Sequence, residues 1–135
     1  MTCIGRAVTD SQQWNTVKAR AFLQRAGVEA CAPLKNFFAI GVSAMQTRFP
    51  DASRPDGQSK NPAAAAFNQA TREMAALCER LGGRRDTAFD LAGIGDLHVT
   101  VGGGRNSKLG HLLGRDRVIS DVMRNELAGE TVEGI

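Results

Sequence analysis

A chain of 135 residues, 42% of them hydrophobic and 23% charged, suits one globular domain that buries about two thirds of its unfolded surface. The 17 Lys and Arg against 14 Asp and Glu are scattered, so the net charge of +3 indicates no nucleic-acid or membrane surface, only a mild preference for small anions. The three cysteines show no CxxC or Cys/His spacing, which predicts neither a disulfide framework nor a metal site and favours the reducing cytoplasm. The sequence has no apolar run of about 20 residues and no signal layout at the start, which predicts no membrane span and no export.

The first segment predicts a strand followed by a helix. Thr2–Thr9 is short and partly β-branched, which favours a strand. Asp10 or Ser11 then offers a side-chain oxygen to cap a helix that begins near Gln12. Gly27 supplies the left-handed residue that commonly ends a helix.

The next segment is apolar on nearly every side. Cys31–Met45 is interrupted only by Lys35, Asn36 and small residues, so as a helix it would lie inside the domain. Residues 50–60 are rich in Pro, Asp, Ser and Gly and predict a surface loop.

A long amphipathic helix follows this loop. Asn61 and Pro62 are typical of an N-cap and a first helical residue, and Gly82 ends a pattern of about 20 residues. Its apolar positions recur at three- and four-residue steps and are Phe67, Ala70, Met74, Leu77 and Leu81.

The last third predicts short helices separated by tight turns. Asp86 can cap one short helix, and Ser120 can cap the last one, in which Val122 and Leu127 face inward. Seven glycines between positions 93 and 114 break the stretch between them. The prediction is an all-α domain with one short N-terminal strand.

Lys35 is the first candidate for chemistry. An ammonium group in an apolar segment has a desolvation cost that lowers its pKa toward the range useful for proton transfer. The alternative is that Lys35, like its neighbour Asn36, simply reaches the surface along its stem.

The second candidate is a glycine run that opens a helix. Gly102–Gly104 let backbone N–H groups converge, and the helix that starts near Arg105 directs its positive end at the turn. Arg105 can take two phosphate oxygens at once, and Asn106 and Thr100 can donate to others, while Asp96 lies in the preceding turn. The alternative is a simple connector.

The remaining conspicuous residues favour structural interpretations. His98 and His111 have no second ligand at metal spacing, which indicates hydrogen-bonded structural histidines and no metal site. Phe37 and Phe38 are predicted in the core, and Cys78 has no neighbour in sequence that would lower its thiol pKa.

Together these segments resemble the C-terminal half of NAD-dependent glycerol-3-phosphate dehydrogenases. That family carries, in order, an LKN helix, a long helix ending in LG, a GLGDL turn and an RN helix start. The corresponding segments are Leu34–Asn36, Asn61–Gly83, Gly93–Leu97 and Gly103–Asn106. Val132–Gly134 is similar to the family's closing VEG segment.

The resemblance implies roles for individual residues. Lys35 would be the acid/base at the carbonyl, supported by Asp96. The substrate and its phosphate would be bound by Asn36, Thr100, Arg105 and Asn106, and the NAD cofactor would be contacted by Arg105 and Glu133. An ionised Asp96 would favour the charged form of Lys35 and oppose the desolvation.

The resemblance also implies an architecture and a function. Residues 1–27 look like the last strand and helix of a cofactor domain, and residues 28–135 like the helical substrate domain shared with 6-phosphogluconate dehydrogenases. The implied function is the substrate half of a dehydrogenase that interconverts sn-glycerol 3-phosphate and dihydroxyacetone phosphate. It would work with a Rossmann domain in cis or in trans, and we expect a homo-oligomer, such as a dimer.

The sequence also departs from the family pattern. The strand-rich stretch before LKN is missing, the usual arginine of the long helix is Gln69, and the loop from Arg48 to Lys60 is longer and more polar. No GxGxxG fingerprint occurs in the 135 residues. A non-catalytic phosphate-binding or assembly module is therefore the alternative function.

Overall fold

The protein is a bundle of α-helices. The computed structural model describes the backbone of residues 3–135 and the side chains of Lys18, Ala21 and residues 24–135. The helices and helical turns are α1 (Cys3–Arg48), α2 (Lys60–Arg80), a 3₁₀ turn (Arg85–Phe89), a π-helical turn (Leu91–Gly95), α3 (Asp96–Gly102), α4 (Arg105–Gly114) and α5 (Ile119–Arg124). No strand occurs among the described residues, which confirms the all-α fold. None of these helices is long and apolar enough to cross a membrane.

The predicted N-terminal strand was wrong. Residues 3–9 belong to α1, and Thr2 lies outside the described residues. The β-branched residues there give only a weak preference, because a strand gains its stability from neighbouring strands that accept and donate its hydrogen bonds. A helix satisfies its own backbone groups and needs no such neighbour.

Gly27 lies inside α1 and does not end it. A Cβ atom at Gly27 would stand 2.6 Å from Oγ1 of Thr87 in the 3₁₀ turn. A Cβ atom at Gly83 would in turn stand 2.5 Å from the Cα atom of Gly27. Because neither glycine has a side chain, α1 and the chain that follows α2 can pack closely at these two positions.

The middle of α1 is the centre of the fold. One side packs on α2 and α3 through a core that includes Phe38, Val42, Met74 and Leu97, all buried. The interior position predicted for residues 31–45 holds for this side, but Phe37 is 61% exposed, so its predicted core position was wrong. The segment is apolar on nearly every side, so its pattern could not tell which of two adjacent phenylalanines faces the core.

A second core joins α1 to the C-terminal third. Ile40 of α1 packs with Leu109, Val122, Leu127 and Val132, which agrees with the inward direction predicted for Val122 and Leu127. Close approach of α4 to α1 depends on glycine. A Cβ atom at Gly110 would lie 2.3 Å from the carbonyl oxygen of Ile40.

The boundaries of α2 differ slightly from the prediction. The helix begins at Lys60, with Ser59 as its N-cap residue, and Pro62 lies in its first turn. Met74 is fully buried, but Leu81 at the C-terminus is 62% exposed, so the inward stripe ends before Leu81. The preceding loop is closed by hydrogen bonds from the backbone nitrogens of Ser53 and Gln58 to carboxylates.

Candidate functional site

Lys35 forms an ion pair with Asp96. The Nζ atom of Lys35, on α1, donates to Oδ2 of Asp96, the first residue of α3. The side chain of Lys35 is 19% exposed and that of Asp96 is 42% exposed. Lys35 therefore does not simply extend to solvent, because its charged end meets a carboxylate at the edge of the core.

The π-helical turn sets the position of Asp96. The carboxylate of Asp90 accepts a hydrogen bond of 2.7 Å from the nitrogen of Leu91 and caps this turn. Gly93 is packed so tightly that a Cβ atom there would lie 2.1 Å from the carbonyl oxygen of Ala88. π-Helical turns are frequent at functional sites, and this one delivers a carboxylate to the side of α1.

Thr100 lies one turn after Asp96. Its Oγ1 atom donates a hydrogen bond of 2.7 Å to the carbonyl oxygen of Asp96. The hydroxyl thus stays on α3, half-buried, and stabilises the turn that carries the carboxylate.

Asn36, next to Lys35 on α1, is linked to the phosphate candidate through Glu133. The buried Asn36 donates a hydrogen bond of 2.9 Å from Nδ2 to Oε2 of Glu133. The other oxygen of Glu133 lies 3.9 Å from Nη2 of Arg105, and both side chains are about half exposed. An exposed pair at this distance is weak, so an anion can displace Glu133 from Arg105.

Asn106 forms a hydrogen bond with the C-terminal segment Val132–Gly134. Its Oδ1 atom accepts a hydrogen bond of 3.1 Å from the nitrogen of Gly134. A Cβ atom at Gly134 would stand 2.7 Å from the carbonyl oxygen of Asn36. This close contact holds Glu133 against α1 and α4.

The N-terminus of α4 offers free donors. Gly104 is its N-cap residue, with φ of 91°, and no side chain caps the helix. The first three backbone N–H groups of a helix have no partner within it, and here they belong to Arg105, Asn106 and Ser107. Together with the Arg105 guanidinium they form a positive end suited to a phosphate.

The structure therefore places the sequence-predicted residues in a polar cluster of two groups, carried by adjacent positions of α1. One group comprises Lys35, Asp96 and Thr100, and the other comprises Asn36, Arg105, Asn106 and Glu133. Gln69 is not part of it, since its side chain is exposed on α2 and donates to Glu73. Two opposite pairs balance the charge of the cluster, so a phosphate dianion would be met chiefly by Arg105 and the end of α4.

The two histidines lie outside the cluster. Nε2 of His111 is 2.6 Å from Oε1 of Gln46, and burial, with a smaller contribution from Arg115, lowers the pKa of His111. His98 is exposed, with its ring centroid 6.2 Å from that of Phe67. No group of three His, Cys, Asp or Glu among the described residues could hold a metal.

Sequence reasoning missed a cavity next to α3. It is an open groove of about 570 Å³ between α1, α2 and α3, and its wall includes Val42, Phe67, Ile94 and His98. Lys35, Asp96 and Arg105 do not line it. The only sign of this pocket in the sequence was the helical spacing of apolar residues along α2, and that spacing equally predicts a filled core.

Comparison with known proteins gives a consistent result. A family model described as the C-terminus of NAD-dependent glycerol-3-phosphate dehydrogenase matches residues 24–135. The NADP(+)-dependent glycerol-3-phosphate dehydrogenase of Archaeoglobus fulgidus is 40% identical over 97 residues, which cover 72% of this chain and 28% of the relative. The glycerol-3-phosphate dehydrogenase (NAD(P)+) of Acidobacterium capsulatum is 37% identical over 111 residues, 81% of this chain and 30% of the relative.

A longer match includes the N-terminal part of α1. The glycerol-3-phosphate dehydrogenase (NAD(P)+) of Xanthomonas oryzae pv. oryzae is 30% identical over 134 residues, 96% of this chain and 36% of the relative. The chain thus spans about a third of the length of these relatives. No solved structure matches. The family model covers most of the chain, and the chain belongs to the family of C-terminal domains of NAD-dependent glycerol-3-phosphate dehydrogenases.

Proposed function

We propose that this chain supplies the substrate-binding and acid/base groups of an NAD(P)-dependent glycerol-3-phosphate dehydrogenase. The observation that carries the proposal is that adjacent positions of α1 carry both groups: Lys35 is paired with Asp96, and Asn36 is linked through Glu133 to Arg105 at the N-terminus of α4. A substrate with a phosphate at one end and a carbonyl near the other matches these two groups. Dihydroxyacetone phosphate and sn-glycerol 3-phosphate have this layout.

The phosphate would bind at the start of α4. Arg105 is about half exposed and has one loose ion pair among the described residues, so its guanidinium can turn to a dianion. Gly103 and Gly104 leave open space where their side chains would be, and the backbone there can approach phosphate oxygens. A charge-assisted pair of hydrogen bonds from Arg105 would fix the substrate in one orientation.

Lys35 would handle the proton. In the direction of reduction, its ammonium group donates a hydrogen bond to the carbonyl oxygen and then gives that oxygen a proton as the alcohol forms. Asp96 holds the ammonium in position before the transfer. In the reverse direction the neutral amine accepts the hydroxyl proton.

The exposed rim of the cluster fits the edge of a dinucleotide. Arg105 and Glu133 offer a guanidinium and a carboxylate to solvent, and such groups can contact a phosphate and a ribose hydroxyl or carboxamide. NAD(P), when bound, supplies or accepts the hydride at the substrate carbon. Most of its binding surface would belong to a dinucleotide-binding domain, in the same polypeptide or a separate one.

The experiment fuses this chain to the nucleotide-binding part of the Archaeoglobus fulgidus relative and follows NAD(P)H at 340 nm. We expect the fusion to oxidise glycerol 3-phosphate and the 135-residue chain alone to show no measurable turnover, because positioning of the two reactants supplies several kcal/mol of the rate acceleration. Lys35→Met should lower kcat at least about a hundredfold. Arg105→Ala should instead lower kcat/KM about tenfold to a hundredfold through KM.

Arg124→Ala is the matched control, because Arg124 is exposed on α5 and pairs only locally with Asp121. Its kinetic constants should equal those of the unchanged fusion. Turnover by the isolated chain, or a Lys35→Met fusion with unchanged kcat, would overturn the proposal.

A further inference from the structure

Two buried thiols meet between α1 and α2, outside the cluster that serves the proposed function. Cys31 lies on α1 and Cys78 near the end of α2, and neither has any exposed surface. Both are free thiols in the same core. Sequence spacing gave no reason to pair them, because 47 positions separate them.

Several contacts bring the two thiols together. The Cys78 Sγ atom lies 3.8 Å from the carbonyl oxygen of Gly27, which is one helical turn before Cys31. It also donates to the carbonyl oxygen of Arg84 at 3.2 Å. The sulfur of Cys78 thus lies against the turn of α1 that leads to Cys31, and both thiols are buried in one core.

The backbone after α2 lies against both Cys78 and α1. A Cβ atom at Gly83 would be 2.8 Å from Sγ of Cys78 and 2.5 Å from the Cα atom of Gly27, so this segment packs directly on the thiol and on the turn of α1 before Cys31. A disulfide needs Cα atoms about 4.4–6.8 Å apart, a separation that such close packing of α1 and α2 favours.

We propose that Cys31 and Cys78 are a modification site at which hydrogen peroxide closes an intramolecular disulfide. One thiol sulfur attacks the peroxide oxygen, the O–O bond breaks, and a sulfenic acid and water form. The second thiol sulfur then displaces the sulfenic oxygen as a second water. In sum, two thiols are oxidised by two electrons, the peroxide is reduced to water, and one S–S bond forms.

The environment makes the reaction selective for the pair and slow. Burial raises the pKa of the Cys31 thiol to about 12, and the adjacent Cys78 adds to the rise. Thiolate is therefore scarce at neutral pH, and peroxide must enter through local opening. Once a sulfenic acid forms, its partner lies in the same core, which favours the disulfide over further oxidation.

The disulfide would tie α1 to α2 one turn from Lys35. It closes a large loop and so restricts the unfolded chain. We expect the oxidised protein to melt at a higher temperature than the reduced protein, and dithiothreitol to reverse the rise.

The test uses folded Cys3→Ser protein, which retains only Cys31 and Cys78. The protein is treated with hydrogen peroxide, quenched with catalase, alkylated with iodoacetamide in urea and digested. We expect a monomeric product that has lost two hydrogen masses and yields one linked peptide pair containing Cys31 and Cys78. Cys31→Ser and Cys78→Ser proteins should instead accumulate sulfinic or sulfonic acid at the remaining core thiol.

A second arm uses the unchanged chain with all three cysteines. Folded protein should give the Cys31–Cys78 pairing at least about tenfold over pairings with Cys3, whereas protein oxidised in urea should lose this preference. The proposal would be overturned if Cys31 and Cys78 could both still be alkylated after Cys3 is fully oxidised. So would intermolecular disulfides as the main product, or equal pairing in the folded and unfolded chains.

Discussion

Replacing Gly110 with alanine tests the seam that positions the candidate site. The new Cβ atom would stand 2.3 Å from the carbonyl oxygen of Ile40 and 2.7 Å from Cβ of Ser43. Neither atom belongs to a flexible side-chain end, so α4 must move away from α1. Because α4 carries Arg105 and α1 carries Asn36, the same movement would loosen the cluster.

The magnitude follows from two opposing effects. Overpacking against a helix backbone costs typically 1–3 kcal/mol, and contacts this short place Gly110→Ala near about 3 kcal/mol. Alanine gains about 1 kcal/mol over glycine within a helix. The free energy of unfolding should therefore fall by about 2 kcal/mol.

Gly41→Ala is the matched control. Gly41 also lies within a helix, next in sequence to Ile40, but a Cβ atom there meets nothing within 4 Å. This variant should gain about 0.5–1 kcal/mol, since only the backbone preference changes. Urea titrations followed by circular dichroism at 222 nm would measure both. If Gly110→Ala is as stable as the unchanged protein, or both variants shift in the same direction, the close packing of α4 on α1 is refuted.

The remaining predictions concern the start of α4, a half-buried histidine and the partner of Lys35. Gly104 has φ of 91°, so Gly104→Ala should lower the free energy of unfolding by about 1–2 kcal/mol in urea titrations. Gly103 has an extended φ of 174°, so the control Gly103→Ala should change it by less than about 0.5 kcal/mol. Burial lowers the pKa of His111 below 6.5, so the unfolded chain binds the proton first. Stability should therefore fall as the pH drops from about 7 to 5 and level off below the folded-state pKa, with a smaller fall in His111→Gln. The loop carboxylates Asp51 and Asp56, whose pKa values lie below 3.8, titrate outside this window. In the fusion enzyme, Asp96→Asn should lower kcat about tenfold to a hundredfold with little change in KM, because Asp96 acts through Lys35; an unchanged kcat would mean that the pair is structural.

The predictable part of the candidate site was its composition. The LKN, GIGDL and RN segments are short and contiguous, and the structure pairs Lys35 with Asp96 and links its neighbour Asn36 to Arg105 through Glu133. The long helix α2 was equally predictable, because an amphipathic pattern of this length is hard to satisfy in another way.

The less predictable part depended on contacts between distant segments. The strand expected at residues 3–9 is helical because a strand needs neighbours that local sequence cannot reveal. Glycine is typical of a helix end, but Gly27 lies inside α1 and allows close packing on Thr87, sixty positions away. The placement of Cys31 and Cys78 in one core has the same origin.

The π-helical turn before Asp96 shows a third limit. The glycines of Gly93–Gly95 predicted a turn, and a turn is present. Its hydrogen-bond pattern was set by the approach of Gly93 to Ala88. The two are so close that a Cβ atom on Gly93 would lie 2.1 Å from the carbonyl oxygen of Ala88. Glycine marks that a close contact occurs but not which segment makes it.

Calorimetric titration of the isolated chain with glycerol 3-phosphate tests the central claim most directly, because the phosphate end of the cluster needs no other domain. We expect measurable binding that Arg105→Ala weakens about tenfold to a hundredfold, equivalent to the loss of a charge-assisted pair of about 1.5–3 kcal/mol. Arg105→Lys should recover part of it, since a point charge cannot reproduce the fork, while Lys35→Met and the control Arg124→Ala should bind sulfate like the unchanged chain. Equal affinities for the unchanged chain and Arg105→Ala would contradict the account and leave the glycine run before α4 as a simple connector.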